Sequence, residues 1–287
     1  MRNLSVHERL EAISRLISQR KDLASPLRLH MKILQIQREI DDTPTKGTKM
    51  DCGNQALIAS MQRNSREKKE PIVHFIDPAI FDYGILASVA KKVTEALIEK
   101  DPNNEGLKRF AVILESGKAD LVEFVKATLK EDATAIGKYA EESGVQPQLF
   151  LHIISVLSQP CLEEIARRVD ASFIDGWWQI SCPVCGRTPN VARVKDGKRY
   201  LVCTFCGAEH LADRFVCVSC GNSDPYTLKY LIVEGKPEFH IDFCTRCKHY
   251  VKVIDEAELG EPIPRGLEDL LTLDLDLVAK KAGLVRD

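Results

Sequence analysis

The sequence predicts an α+β protein: an N-terminal all-α helical bundle, then tandem zinc-ribbon or rubredoxin-like modules, then a C-terminal helix. Apolar residues recur at helical spacing from residue 5 to about residue 178. Beyond that point, short runs of β-branched and aromatic residues alternate with four Cys-x-x-Cys pairs. Helical spacing returns near the C-terminus. We therefore expect a helical domain at 1–178, a tandem four-cysteine metal-ribbon module at 179–257, and a helix at 258–287 that docks on the body.

Start and stop signals mark several helices in the first domain. Ser5 and Glu8 form a capping box before an apolar stripe. Ser25-Pro26 and Asp77-Pro78 each pair an N-cap residue with a proline at the first helical position, and Asp101-Pro102 ends the second of these helices. Apolar periodicity predicts further helices over 107–114, 121–129 and 147–169.

The remaining segments have different patterns. Residues 41–71 are polar, charged and poor in large apolar side chains, which predicts a long mobile loop. Short runs of β-branched and aromatic residues within the cysteine-rich region predict four strands, at 190–194, 199–202, 226–233 and 250–254. The two tryptophans, Trp177 and Trp178, stand at the junction of the two domains, where we expect them to pack one domain on the other.

Length and charge limit the classes of function. A chain of 287 residues with 44% hydrophobic residues can bury a sizeable core, and its formal charge of −2 creates no global attraction to nucleic acid or anionic membranes. The N-terminus lacks the pattern of a signal peptide, and no later stretch has the pattern of a membrane span. We therefore expect a cytoplasmic protein without membrane insertion. The sequence leaves open whether the chain forms homo-oligomers.

The cysteines provide the strongest chemical signal. One Cys-x-x-Cys turn supplies half of a tetrahedral site, so the turns must combine in pairs. Combining them in sequence order gives two four-cysteine sites with a hairpin-sized insert in each, which is the spacing of zinc ribbons. Interleaved pairing is the alternative, and it is disfavoured because it would thread one loop across another. The sequence therefore predicts two divalent metal ions, one held by Cys182, Cys185, Cys203 and Cys206, the other by Cys217, Cys220, Cys244 and Cys247.

Ligand chemistry alone favours zinc, but four thiolates also suit the single iron of rubredoxin-like centres, so both metals stay open. Four protein sulfurs leave no coordination position for water or substrate, which disfavours hydrolytic catalysis. The sequence also contains no phosphate-binding glycine loop and no nucleophile elbow. We therefore expect a protein that is not an enzyme.

Other residues near the cysteines have simpler explanations. His210, His240 and His249 lie close to the Cys-x-x-Cys turns, but the ligand count is complete without them. Cys52 and Cys161 lack a partner nearby in sequence, so we expect both to be inert. A basic cluster around the first hairpin is the best candidate to hold an acidic partner, and consists of Arg187, Arg193, Lys195, Lys198 and Arg199.

The charge of the metal module argues against nucleic acid as its partner. Residues 182–255 contain eleven basic and eight acidic side chains. Eight thiolates on two divalent ions add four negative charges, which leaves about one net negative charge. Nucleic-acid-binding domains are more basic than this. A protein surface or peptide is the better expectation.

A set of residues around the cysteines matches the pattern of one known family. It consists of Cys182-Pro183-Val184-Cys185-Gly186 with Pro189, Arg199-Tyr200-Leu201-Val202-Cys203 with Cys206, Arg214 before Cys217 and Cys220, and Cys244-Thr245-Arg246-Cys247 with Tyr250 and Lys252. In these residues the cysteine region resembles the formate dehydrogenase accessory protein FdhE family. The likeness covers roughly residues 150–285, whereas the first 145 residues match only in being helical. Ala208-Glu209-His210 replaces the Thr-Glu-Trp stretch of better-known members.

This resemblance implies a cytoplasmic maturation factor that binds the catalytic subunit of a molybdenum- or tungsten-dependent formate dehydrogenase. It also implies that the eight paired cysteines are metal ligands, with zinc and iron about equally favoured, since the family is described as rubredoxin-like. Two alternatives remain open: a zinc-ribbon protein that binds nucleic acid, and a rubredoxin-like electron-transfer protein.

Overall fold

The computed structural model describes residues 6–42, 52–177, 179–260, 263–264 and 266–286, without the side chains of residues 39–42. It confirms the predicted fold class: helices come first, a sheet with the Cys-x-x-Cys turns follows, and a short helical segment closes the chain. The chain forms two compact units that are not contiguous in sequence. One comprises Met1–Ala12, Gln62–Ile72 and Ala166–Asp287, and the other Ile13–Met61 and Val73–Ile165. The predicted segment boundaries stay a prediction.

The described part of the chain contains eleven α-helices. The first five are α1 (Val6–Gln19), α2 (Ala24–Asp42), α3 (Gln55–Lys68), α4 (Tyr83–Lys100) and α5 (Glu105–Glu115). They are followed by α6 (Leu121–Leu129), α7 (Ala133–Ser143), α8 (Pro147–Arg168), α9 (Ala171–Asp175), α10 (Glu268–Leu271) and α11 (Leu273–Lys281).

Short polar side chains fix where the middle helices begin. Carboxylate or amide oxygens of the N-cap residues accept backbone N–H groups of the first turn, which have no partner within the helix. Asp82 caps α4, Asn104 caps α5, Asp120 caps α6 and Asp132 caps α7. At the other end of α7, Gly144 has φ of 69°, a left-handed conformation that ends a helix.

Two predicted helix starts were placed a few residues off. Asp77 does cap a helical turn that begins at Pro78, but this turn is a 3₁₀ helix that ends at Ile80. The long helix α4 begins later, after Asp82, which accepts the N–H groups of Gly84 and Ile85. Pro26 lies inside the first turn of α2, because a 3₁₀ turn at Lys21–Leu23 leads directly into that helix. Ser5 lies outside the described residues.

The prediction of one long loop at 41–71 was wrong. Helix α3 occupies Gln55–Lys68, and Asn54 caps it by accepting the N–H groups of Ala56 and Leu57. Its buried face combines Ile58 and Met61 with two polar residues, Gln62 and Ser65. Gln62 is satisfied there because its amide donates to Asp170 at 3.0 Å. The polar character of this face hid the helical pattern from the sequence prediction.

Aromatic residues fill the core of the all-helical unit. Phe150 on α8 contacts Phe110 on α5 and Phe124 on α6 at centroid distances of 5.9 and 5.0 Å. Helix α8 is, in the described part of the chain, the one helix long and apolar enough to cross a membrane, contrary to the expectation from sequence. More than half of its most apolar window is buried within the protein, as in the core helix of a soluble protein.

The metal-module region folds into one six-stranded sheet of order β3-β2-β1-β6-β5-β4. Strands β1 and β6 pair in parallel and so join two antiparallel three-stranded halves into this one sheet. The four predicted strands are present, whereas β3 and β5 were not predicted. The strands are β1 (Val191–Lys195), β2 (Lys198–Val202), β3 (Glu209–Ala212), β4 (Leu228–Ile232), β5 (Phe239–Cys244) and β6 (Tyr250–Asp255).

The C-terminal segment packs on one face of the sheet. Ile241 on β5 and Tyr250 on β6 are buried against Leu275, Ala279 and Leu284. Leu275 and Ala279 are four residues apart on α11, which places them on one face of the helix, and Leu284 follows the end of the helix. The Cys-x-x-Cys turns lie in the loops that precede and connect the strands.

Candidate metal centres

The four Cys-x-x-Cys turns share one backbone geometry. In each turn the residue after the second cysteine donates its N–H to the carbonyl oxygen of the first cysteine, at 2.8 to 3.0 Å. The first cysteine in turn donates its N–H to the carbonyl oxygen five residues later, at 2.8 to 3.0 Å. The donors of the first bond are Gly186, Gly207, Gly221 and Lys248.

Each of these four turns needs a positive φ at its fifth residue. Gly186, Gly207 and Gly221 adopt φ of 78°, 75° and 68°, which glycine allows at little cost. The fourth turn places Lys248 in the same conformation, with φ of 66°. The structure thus reveals a fourth copy of the turn in which a side chain occupies the glycine position.

The first group of sulfurs comprises Cys182, Cys185, Cys203 and Cys206, all of them buried. Sγ of Cys182 lies 3.5 Å from Sγ of Cys206, and Sγ of Cys185 lies 3.4 Å from Sγ of Cys203. The backbone N–H of Cys185 also donates to Sγ of Cys182 at 3.5 Å. The hairpin of β1 and β2 separates the two turns in sequence and brings them together in space.

The second group comprises Cys217, Cys220, Cys244 and Cys247, and it is more open. Its Sγ atoms pair at 3.6 Å (Cys217 with Cys247) and 3.9 Å (Cys220 with Cys244). Cys220 is exposed and Cys247 is partly exposed. Asn222 supports this group, because its amide nitrogen donates to Sγ of Cys244 at 3.6 Å.

Both groups fit a tetrahedral metal ion by the chemistry of their donors. The four sulfurs of each group lie within 4.8 Å of one another. A tetrahedral ion bound to sulfur at about 2.3 Å requires sulfur atoms about 3.8 Å apart. The four sulfur pairs described above, at 3.4 to 3.9 Å, are close to that value. The groups can therefore hold two metal ions, and their donor set suits zinc and iron alike.

Burial and mutual hydrogen bonds shift the pKa values of the thiols in opposite directions. Burial raises the pKa of Cys185 and Cys206 well above that of a free thiol, whereas hydrogen bonds from the three other thiols lower the pKa of Cys203. In the second group, burial raises the pKa of Cys217 to about 12. Burial also raises that of Cys244, but backbone N–H groups of Cys247 and Arg246 outweigh it and give a pKa of about 7. Four sulfurs in one group ionise together only when a cation compensates their charge.

No histidine joins either group among the described residues. His210 is buried on β3, and burial lowers its pKa to about 4. His249 accepts the N–H of Cys244 through its backbone carbonyl, and His240 Nε2 lies 3.4 Å from Asp242.

Cys52 and Cys161, which were expected to be inert, have a partner that is distant in sequence. They form a disulfide within the all-helical unit, with their Cα atoms 5.4 Å apart and 109 residues between them in sequence. Cys52 precedes α3 and Cys161 lies on α8, so only the packing of the chain brings them together. A long-range pairing of this kind leaves no local spacing signal in the sequence.

Most of the basic cluster turns inward or stacks on the protein itself. Arg193 is buried against Glu256 and Glu268, and Arg199 is buried on β2. The guanidinium of Arg187 lies 3.5 Å from the centre of the Phe205 ring. The two exposed members of the cluster are Lys195 and Lys198.

Trp177 is held within its own unit. Its indole N–H donates to the carbonyl of Ser181 at 2.7 Å, and its ring lies 5.9 Å from that of Phe173. Trp178 lies outside the described residues. The packing of one domain on the other through this pair stays a prediction.

Comparison with known proteins bears on the same region. The family model for the FdhE central domain matches residues 181–214, which contain the first two Cys-x-x-Cys turns. An FdhE homologue of Aquifex aeolicus is 30% identical over 170 residues, 58% of this chain and 59% of that protein. A homologue of Stutzerimonas stutzeri is 34% identical over 116 residues, 38% of this chain and 36% of that protein. The chain thus matches between about a third and three fifths of the length of these relatives.

The fold has a counterpart among solved structures. The crystal structure of the FdhE protein from Pseudomonas aeruginosa superimposes with a TM-score of 0.59 and covers 97% of this chain and 92% of its own chain, at 20% sequence identity. At that identity the match concerns the fold alone. This chain is therefore similar to the FdhE family at the first metal group and over part of its length, and it shares the fold of the FdhE crystal structure.

Proposed function

We propose that this protein is a cytoplasmic accessory factor for the maturation of formate dehydrogenase, and that it binds the catalytic subunit of a molybdenum- or tungsten-dependent enzyme. Similarity to the FdhE family supports this role. The single structural observation that carries it is the pair of four-cysteine groups set in one continuous sheet, which gives a rigid surface suited to recognition.

The eight paired cysteines act as the metal ligands in this proposal. The first ion is held by Cys182, Cys185, Cys203 and Cys206, and the second by Cys217, Cys220, Cys244 and Cys247. When bound, the ions cross-link the turns, and in the case of iron they also supply a one-electron couple. Since all four ligands are protein sulfurs, the site lacks a position for substrate, which supports recognition rather than catalysis.

The test is co-purification from a host cell that makes a formate dehydrogenase. We expect tagged protein to retain the catalytic subunit, and deletion of its gene to abolish formate dehydrogenase activity while the amount of that subunit is unchanged. Absence of the subunit from the purified material, or full activity in the deletion strain, would contradict the proposal.

Electron transfer is the second candidate, because the exposed residue Cys220 opens the second group to a redox partner. This candidate requires iron and a reversible one-electron couple. Metal analysis and voltammetry on protein purified without oxygen distinguish the two functions. Two zinc ions per chain and the absence of a one-electron redox couple would eliminate electron transfer.

A further inference from the structure

A cavity of about 630 Å³ opens on the sheet face opposite α11. Along β5, the side chains of His240 and Asp242 line this cavity, while Ile241 between them packs against Leu275 on the other face. Such alternation is a property of any strand. Segment 214–218, which leads into the third Cys-x-x-Cys turn, forms the opposite wall. The whole cavity lies within one compact unit.

The mouth of the cavity is apolar and exposed. Phe215, Tyr230 and Ile232 all line it, and 63%, 63% and 71% of their surfaces are accessible to solvent. Exposed large side chains that adjoin one another around a cavity are typical of binding surfaces.

The polar groups of the cavity carry excess positive charge. Arg199, Arg214 and Lys229 line it together with one carboxylate, Asp242. The side chain of Arg199 is only 5% exposed, yet its closest contact to Asp242 is 3.8 Å. Nη1 of Arg199 donates to two backbone carbonyls at 3.3 and 3.4 Å, and Nε has no hydrogen-bond acceptor among the described residues. A buried guanidinium with such long contacts can donate two closer hydrogen bonds to the carboxylate of a ligand, in bidentate geometry.

The cavity continues onto an open strand edge, since β4 is the terminal strand of the sheet. The N–H of Thr245 donates to the carbonyl of Thr227, which fixes the register of β4 against β5. In antiparallel pairing every second residue bonds to the neighbour, so Leu228, Tyr230 and Ile232 direct their backbone N–H and C=O groups to the open edge. The side chains of the same three residues line the cavity.

We propose that this surface, consisting of the cavity and the free edge of β4, binds an extended peptide segment that carries an acidic side chain. The segment pairs with β4 as an added strand, and its carboxylate reaches Arg199 and Arg214 in the cavity. An apolar side chain two residues along lies on the same face of the added strand, beside Phe215 and Tyr230. The occupant is a peptide, because only a peptide has both the backbone groups that pair with the edge of β4 and the side chains that fill the cavity. The inference rests on the proposed function, in which the ligand is a polypeptide.

The test uses the full chain and fluorescein-labelled synthetic peptides, with binding followed by fluorescence anisotropy. The probe is an eight-residue peptide of alternating Val and Thr with one central Glu, and its matched control has Gln in place of Glu. We expect the Glu peptide to bind at least tenfold more tightly, because its carboxylate forms charge-assisted hydrogen bonds that the amide lacks. N-methylation of alternate backbone amides should abolish binding, because it removes the strand pairing.

Variants locate the site. Arg214→Ala and Ile232→Ala should each lower the affinity for the Glu peptide about tenfold. Both side chains are exposed, so their removal should leave folding intact. The matched controls are Leu211→Ala, on the opposite edge strand β3, and Lys280→Ala, an exposed cation of α11. Neither control should change binding.

Three results would overturn the inference: equal binding of the Glu and Gln peptides, unchanged binding by Arg214→Ala and Ile232→Ala, or full binding of the N-methylated peptide. The small apolar carboxylate 3-phenylpropanoate serves as a competitor of the Glu peptide. If it displaces the peptide and the N-methylated peptide still binds fully, the cavity is a site for small apolar carboxylates rather than for a peptide strand. These measurements do not involve formate dehydrogenase. If the peptide does not bind but the catalytic subunit of formate dehydrogenase co-purifies, the peptide site is refuted and the proposed function is retained.

Discussion

Nη2 of Arg193 on β1 lies 2.7 Å from Oε1 of Glu268 on α10, and both side chains are almost completely buried. The other Nη of Arg193 donates to Glu256 at 2.9 Å, and Oε2 of Glu268 accepts the N–H of Gly266 at 2.7 Å. The pair ties the C-terminal segment to the sheet. It also removes Arg193 from the surface, where sequence had placed it as a contact for an acidic partner.

Loss of Glu268 is expected to destabilise the protein strongly. In Glu268→Ala the guanidinium of Arg193 stays buried without its main counter-ion, and such changes cost about 3–5 kcal/mol. Urea unfolding followed by circular dichroism measures this loss. The exposed residue Glu115 serves as a control, since Glu115→Ala removes a carboxylate from a solvated helix end. Similar stability of the two variants would show that the buried pair contributes little.

A second buried network predicts a specific dependence on acid. Burial alone would raise the pKa of Asp269, but hydrogen bonds from Arg286 and the charge of Lys252 lower it to about 2. Because the folded value lies below the unfolded value of 3.8, the carboxylate stabilises the fold at pH above about 4. This stabilisation is lost as the pH falls from about 4 to about 2.

The prediction is tested by comparing the wild type with Asp269→Asn at several pH values. The wild type should exceed the variant in unfolding free energy at pH 6, and the difference should shrink by about 2 kcal/mol at pH 2.5. Metal loss in acid affects both proteins and cancels in the comparison. A difference that does not vary with pH would refute the assigned role of Asp269.

The left-handed residue of the fourth turn is expected to be a local weakness. Lys248 occupies the position that glycine fills in the other three turns, and a side chain there costs about 1 kcal/mol. Lys248→Gly should therefore raise the thermal midpoint of metal-loaded protein. Gly207→Ala should lower it, although a Cβ at Gly207 meets no atom within 4 Å. Changes of the thermal midpoint in opposite directions for the two variants would confirm that backbone conformation is the cause. Changes in the same direction would contradict it.

The two metal groups should release their ions at different rates. The sulfurs of the first group all belong to buried cysteines, whereas Cys220 in the second group is exposed to any chelator. Release to 4-(2-pyridylazo)resorcinol should then show two phases of equal amplitude. Cys220→Ser should accelerate or remove only the fast phase. A single phase in the wild type would show that exposure does not control release.

The disulfide provides a test of the proposed location. In a reducing cytoplasm Cys52 and Cys161 should be thiols, although the fold places their Cα atoms 5.4 Å apart, within bonding range. Because both residues are buried, cells should be quenched in acid and their protein alkylated after denaturation; both residues should then be labelled, and exposure of the purified protein to air should link them. Recovery of the linked peptides from cells alkylated in this way would contradict a cytoplasmic location.

The sequence by itself determined the fold class, most helices and the grouping of the paired cysteines. Helix caps such as Asp77, the apolar stripes and the Cys-x-x-Cys turns are local signals, so their spacing along the chain is sufficient to interpret them. The same reasoning failed at α3, where Gln62 and Ser65 occupy buried positions and break the apolar stripe. A buried polar residue becomes stable only through partners distant in sequence, as Asp170 is for Gln62.

Only the tertiary structure decided what the local signals leave undetermined. It joined the two halves of the metal module through parallel pairing of β1 with β6, and it paired Cys52 with Cys161 across 109 residues. It also turned Arg193 inward and left one face of β4 and β5 open as a cavity. Each of these features depends on which distant residues pack together, and that choice follows from burial over the whole chain rather than from spacing within a segment.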